Sequence, residues 1–232
     1  MTPRPASGAA LQGRLHLPAR TATATARIPA GRSTVHVDGQ RVGLWYVPRT
    51  SAERLVIVLH GAGGTAEDAL RLLDPYADEH GLMVLAPQSA GRTWDMIGSG
   101  YGPDVVRLQG ALNQVLAGHR VAVPSLAIAG FSDGASYAVS LGLINGDVVD
   151  AVLAFSPGYA APTRDADEPA FFISHGRSDR VLPIDRCSRR LVPALRRAGH
   201  RVQYCEFDGG HEVPPSVIDT ALAWLRNLPT DH

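Results

Sequence analysis

Short apolar runs and stretches of helical period alternate along most of the chain. Leu55–Leu59 is an unbroken apolar run, the signature of a strand buried on both faces. Shorter versions recur at Leu82–Ala86, Leu126–Ala129, Ala151–Ala154, Phe171–Ser174 and Val202–Phe207, and Gly43–Val47 reads as a further strand. Between them, Thr65 is placed to cap a helix running to about Leu73, with Glu67 and Asp68 in its first turn where the helix dipole favours them. Val105, Leu108, Leu112, Val115 and Leu116 fall near helical spacing and predict a helix over Asp104–Ala117. Further helices are predicted at Ala135–Leu143, Asp185–Ala198 and Pro215–Leu225. Strands alternating with helices imply the α/β class, a mostly parallel central sheet with helices on both faces. Such sheets carry their sites at the carboxyl ends of the strands.

Two segments depart from this pattern. Residues 1–30 are rich in Ala, Thr, Pro and Gly with weak periodicity, which predicts an extended or partly disordered arm, with a short pairing strand open at Gly13–Leu17. Residues 31–232 are then expected to form one domain. The second segment, Pro87–Pro103, is a long loop inside the periodic region, and such loops are often functional.

Charge narrows the partners. Lys plus Arg and Asp plus Glu are both 22, so no long-range field would gather nucleic acid or an anionic membrane surface. Met1–Ala10 lacks the apolar run of a signal peptide and nothing later approaches a membrane span, so the cytoplasm is the expected compartment, without stable membrane insertion. The two cysteines, Cys187 and Cys205, are too few for a disulfide framework, although one bridge between them stays open. Oligomeric state is not legible.

Gly130-Phe-Ser-Asp-Gly134 matches G-x-S-x-G and lies between an apolar strand and a helix, the context that gives this short pattern weight. A sharp strained turn there would present the Ser132 hydroxyl, leave no room for side chains at 130 and 134, and aim the N–H groups of the next helix at the same place. A serine hydroxyl is a poor nucleophile near neutral pH and needs a histidine held in one tautomer by a carboxylate. His211, in Phe207-Asp-Gly-Gly-His211, follows the last strand and precedes the last helix, fitting both chain order and strand-end placement. Its rivals are His60, His175 and His200, the last expected to be exposed. Asp179 lies in a loop leaving a strand and entering a helix, whereas Asp185 reads as an N-cap, Asp208 as a turn residue and Asp133 as part of the helix start beside the serine.

His60-Gly-Ala-Gly-Gly64 is a Gly-rich turn directly after a buried strand. It is suited to offer one backbone N–H to an oxyanion, from Ala62 with Gly63 as the alternative, while Asp133 offers the second. A phosphate cradle would need a following Gly-Lys-Ser/Thr or G-x-G-x-x-G spacing, and neither occurs. A metal hydrolase would need clustered ligands such as H-E-x-x-H, also absent from the sequence.

With Leu59-His-Gly-Ala-Gly63, Gly130-Phe-Ser-Asp-Gly134, Ser174-His-Gly-Arg-Ser-Asp179 and Gly209-Gly-His211 in order, the chain resembles the phospholipase/carboxylesterase branch of the α/β-hydrolases over about Leu55 to Leu225. The resemblance implies the α/β-hydrolase fold and hydrolysis of small-molecule carboxylic esters or thioesters through an acyl-enzyme on Ser132, without cofactor or metal. Two departures stand out. Many members have Gln after the serine where this chain has Asp133, and the N-terminal arm has no counterpart in the family pattern. The short span between Ser132 and Asp179 leaves no room for a cap domain, so an open site is expected, with Trp94, Met96 and Ile97 as apolar wall, or else as a surface loop pinned by a buried Trp, and Tyr159 on the facing side. Such a cleft suits short-chain or aryl esters. A thioesterase or acyl-protein deacylase would use the same residues, and a non-catalytic member of the fold would be expected to lack one of them.

Overall fold

The computed structural model describes residues 8–17, 29–97, 100–119, 125–161 and 169–228, without the side chains of 97 and 117–119. Eight strands form one sheet: β1 (Gly31–Val37), β2 (Gln40–Val47), β3 (Arg54–Leu59), β4 (Leu82–Pro87), β5 (Leu126–Phe131), β6 (Ala151–Phe155), β7 (Ala170–Gly176) and β8 (Val202–Phe207). Their order is β1-β2-β4-β3-β5-β6-β7-β8. β2 pairs antiparallel with both β1 and β4, and every pairing from β4 through β8 is parallel.

Among the described residues five α-helices cover the sheet: α1 (Ala66–His80), α2 (Pro103–His119), α3 (Asp133–Ile144), α4 (Ser188–Arg197) and α5 (Pro215–Arg226). The strand residues divide by parity between two cores. Leu55, Ile57 and Leu59 of β3 join the core that includes α2, α3 and α4, while Val56 and Val58 join the one that includes α1 and α5. Burial on both faces is why β3 reads as a continuous apolar run instead of an alternating one.

Several elements differ from the sequence expectation for identifiable reasons. β1 escapes a hydrophobicity reading because it is an edge strand with a mostly exposed face. Its signal is the turn: Val37 pairs with Gln40 across Asp38-Gly39, both at positive φ (50° and 78°), as a two-residue hairpin requires. α1 runs past Pro75 to His80 because Leu73, Asp74 and Ala77 are buried against the fold, which outweighs the missing N–H, and Gly81 in the left-handed region ends it. Its start follows the expectation, as a capping box between Thr65 and Asp68. α4 begins at Ser188, so Asp185 is not its N-cap but an exposed partner of Arg189 at 2.8 Å.

Residues 13–17 do not pair with the sheet. They dock on side-chain amides, Asn145 bonding Gly13 O (2.8 Å) and Leu15 N (2.7 Å), Gln109 bonding both backbone groups of His16, while Leu15 is buried. The rest of the expected arm, 1–7 and 18–28, lies outside the described residues. Cys187 and Cys205 are both free thiols, and His200 is half-buried, edge-on to Phe171. Among the described residues no helix is long and apolar enough to cross a membrane.

Candidate active site

The carboxyl ends of β3, β5, β7 and β8 gather the residues singled out by the motifs. β5 runs straight into α3 with a single residue, Ser132, between them, at φ 58° and ψ −116°. For a non-glycine residue this is a strained backbone, held by Ser132 N–H donating to Phe155 O at 2.9 Å and by the packing of both flanking elements. The flanking glycines are obligatory. A Cβ at Gly130 would overlap the Gly134 carbonyl, and one at Gly134 would overlap the Leu59 and His60 carbonyls.

The loop after β8 brings His211 back over this turn. Its Nε2 lies 2.8 Å from Ser132 Oγ and its Nδ1 lies 2.6 Å from Asp179 Oδ2. An ionised carboxylate only accepts, so Nδ1 carries the proton and the Nε2 lone pair faces the serine hydroxyl, which donates to it. The imidazole rests on Phe131, ring centroids 4.8 Å apart, and its side chain keeps 15% of its surface open.

The Asp179 side chain is fully enclosed. Its Oδ1 accepts the N–H groups of Val181 (2.9 Å) and Leu182 (2.8 Å), and its Oδ2 accepts from His211. Burial alone would raise this carboxyl, but the His211 bond and the two amides outweigh it and hold it below the usual carboxylate range. The rival acids lie elsewhere: Asp185 pairs with Arg189 and Asp208 with Arg177 (2.6 Å), both largely exposed.

On the other side of Ser132, the turn after β3 presents Ala62 to solvent. Gly63 N–H donates to Arg92 O at 2.6 Å and Gly64 N–H to Gly61 O at 3.0 Å. Among the described residues, the N–H groups of Ala62 and Asp133 engage no such partner, which leaves these two amides for an oxyanion and argues against Gly63. His60, beneath the turn, accepts Ser89 N–H on Nε2 (3.2 Å) and therefore donates from Nδ1 to Gly61 O (2.8 Å). It is a neutral structural histidine, its pKa pushed down by burial.

The long loop after β4 is fastened by carboxylates. Ala90 and Asp95 N–H donate to Asp104, Gly102 and Asp104 N–H to Asp95, and Trp94 N–H to Asp133 at 3.1 Å. Trp94, expected as cleft wall, is instead 1% exposed: its indole donates to His60 O (2.9 Å) and stacks on Tyr137, so it supports the Gly-rich turn from below. Its size and amphipathic edge suit the core with one polar partner better than the surface. Met96 is half-buried against the same core, and the Ile97 side chain lies outside the described residues. Tyr159 lies close enough to Asp133 to feel its charge and is 42% exposed, on a loop held by Gly158 N–H to Ser136 Oγ (2.9 Å) and Ala161 N–H to Ser140 Oγ (2.9 Å). Its hydroxyl is pushed up to about 12 by burial and by the charge of Asp133.

Asp133 itself is 7% exposed, with Oδ2 bonded to Trp94 N–H and Oδ1 without a partner. Burial, with a smaller push from Asp104, raises its carboxyl to about 6 despite the Trp94 bond. Sequence reasoning missed three contributors. Phe131 supports the imidazole, Val181 bonds Asp179 through its amide while its side chain is 66% exposed, and His175, a rival base by sequence, sits under the acid. The signal for His175 was its place at the end of β7, four residues before Asp179. Among the described residues no group of three or more His, Cys, Asp or Glu is arranged to hold a metal ion.

No protein-family model and no curated protein sequence matches the chain. Solved structures do. The crystal structure of esterase PE8 aligns at TM-score 0.64 and 26% identity, covering 80% of this chain and 97% of that one. The S-formylglutathione hydrolase of Staphylococcus aureus aligns at TM-score 0.66 and 16% identity over 84% and 98% of the two chains. Zea mays acyl-protein thioesterase 2 aligns at TM-score 0.58 and 19% identity over 78% and 96%. With the eight-stranded sheet described above, these likenesses show that the chain has the α/β-hydrolase fold.

Proposed function

We propose that this α/β-hydrolase-fold chain is a serine hydrolase that cleaves carboxylic esters through an acyl-enzyme on Ser132. The observation that carries the reading is the unbroken hydrogen-bond chain from Ser132 Oγ through His211 to Asp179, with two unengaged amides on the far side of the serine. Ser132 Oγ attacks the substrate carbonyl as His211 Nε2 takes its proton, and Asp179 stays ionised and stabilises the imidazolium. The negative charge arriving on the carbonyl oxygen meets the N–H groups of Ala62 and Asp133, the second at the start of the twelve-residue helix α3. His211 then gives the proton to the departing alkoxide, and water repeats the sequence on the acyl-enzyme to release the acid.

Tyr159 and Val181, both exposed apolar side chains near the site, support a short-chain or aryl ester as substrate, since a rim offers contact to one end of a ligand without engulfing it. A thioester would be cleaved by the same groups, and the likeness to an acyl-protein thioesterase favours keeping it as the second reading.

The test is labelling by an active-serine phosphonate followed by peptide mass mapping. The reading expects a single adduct on Ser132, abolished in His211→Ala. An intact, folded protein that takes no label would sink it.

A further inference from the structure

His175 is a buried histidine that the reaction above does not use. It lies on β7 with no exposed surface, and burial pushes its pKa down, so it is neutral. Its ring contacts fix which nitrogen carries the proton. Nε2 is 2.8 Å from Leu182 O, a group that only accepts, so Nε2 is the N–H. Nδ1, 2.7 Å from Ser188 Oγ, is then the acceptor, and the Ser188 hydroxyl donates to it. Ser188 is fully buried at the first position of α4. The same Nε2–H lies 3.3 Å from Asp179 Oδ2, the oxygen that bonds His211.

One ring thus ties together the end of β7, the acid loop and the start of α4. The Leu182 carbonyl turns inward to His175 while the Leu182 amide faces Asp179 Oδ1, so the 179–182 turn is closed from both sides. An apolar side chain would fill this space without the desolvation penalty of a buried imidazole; the polar contacts are what a histidine adds. Neutrality matters here too. A cation beside Asp179 would compete with the imidazolium that forms on His211, whereas a neutral donor orients the carboxylate without opposing it.

We propose that His175 is a positioning residue that keeps Asp179 Oδ2 aimed at His211 Nδ1. The inference rests on the serine-hydrolase reading, because it acts through the Ser132–His211–Asp179 chain.

The test compares wild type, His175→Phe, His175→Gln and Ser188→Ala as full chains. Two readouts are used: the saturation kinetics of phosphonate labelling at Ser132, and the low-field proton resonance of His211 Nδ1–H. Phenylalanine keeps a planar aromatic ring and removes the polar contacts, so maximal labelling should slow about 10- to 100-fold with half-saturation nearly unchanged, and the resonance should broaden or vanish. Glutamine can donate to Leu182 and Asp179 and accept from Ser188, so it should restore both readouts to within a few-fold. Ser188→Ala, which removes the donor to Nδ1 but keeps the ring and its bond to Leu182 O, should slow labelling by a smaller factor. A folded His175→Phe with wild-type labelling and resonance would overturn the role. Should that variant fail to fold, wild-type behaviour of Ser188→Ala in both readouts would overturn it instead. Wild-type protein that takes no label would contradict the hydrolase reading itself, an outcome distinct from both.

Discussion

Asp179 and Asp133 are two buried aspartates on either side of one serine, 5% and 7% exposed, and their surroundings give them opposite character. Asp179 receives two backbone amides on Oδ1 and the His211 proton on Oδ2, so its charge is favoured in the fold. Asp133 receives one amide on Oδ2 and nothing on Oδ1, so its charge is disfavoured and its carboxyl is raised to about 6. The number of donors facing the carboxylate, and not burial, separates them. One suits a residue that must stay ionised beside an imidazolium; the other suits a residue whose backbone N–H serves an oxyanion and whose side chain is best kept neutral.

The largest effect that would break this contrast is at the acid. Asp179→Asn should lower kcat by about 10³–10⁴, since the amide can hold His211 in the wrong tautomer while leaving the fold in place. A loss under tenfold in steady-state kinetics would reassign the acid.

The next effect is on stability, with opposite pH signs for the two residues. Asp179 has a lowered folded pKa, so its contribution is present above the ordinary carboxylate range and is lost as pH falls. Asp179→Asn should therefore be less stable than wild type at pH 7, with the gap closing in acid. Asp133 has a raised folded pKa, so its contribution is full below about pH 4 and lost as pH rises through about 6. The shift from 3.8 to about 6 corresponds to about 3 kcal/mol, of which an asparagine recovers only part because its NH₂ inherits the partnerless position. Asp133→Asn should gain about 1–2 kcal/mol at pH 8 in urea unfolding and nothing at pH 4. A gain independent of pH would contradict the assignment.

The smallest effect sharpens the contrast by exclusion. Asp185→Asn removes an ion pair whose carboxylate side chain is 77% exposed and should change kcat/KM by less than about twofold.

Much of the site was legible because backbone geometry restricts residue choice. Gly130 and Gly134 have carbonyls where a Cβ would stand, so the motif around Ser132 is visible as spacing alone. Gly209 also precedes His211, but there the space is taken by the Phe207 ring and the Glu212 carboxylate, and at Gly210 it is open. What spacing could not show was which polar groups were already engaged. That Gly63 N–H is taken by Arg92 O, leaving Ala62, depends on a loop thirty residues away in the chain. As an amphipathic aromatic, Trp94 suits a cleft wall and a core position equally well by sequence; its depth is set by the His60 carbonyl and Tyr137. By sequence His175 competes with His211, since both stand at strand ends and neither shows its direction. In the fold, β1 was hidden by its exposed face although Asp38-Gly39 announces its hairpin.

The central claim is that Ser132 is the nucleophile of an esterase. The most direct measurement is the initial rate on p-nitrophenyl esters from acetate to palmitate for wild type and Ser132→Ala side by side. Wild-type rates should peak at short acyl chains and fall by about 10⁴–10⁶ in Ser132→Ala. Equal rates for the two proteins, or none for either on any ester, would contradict it.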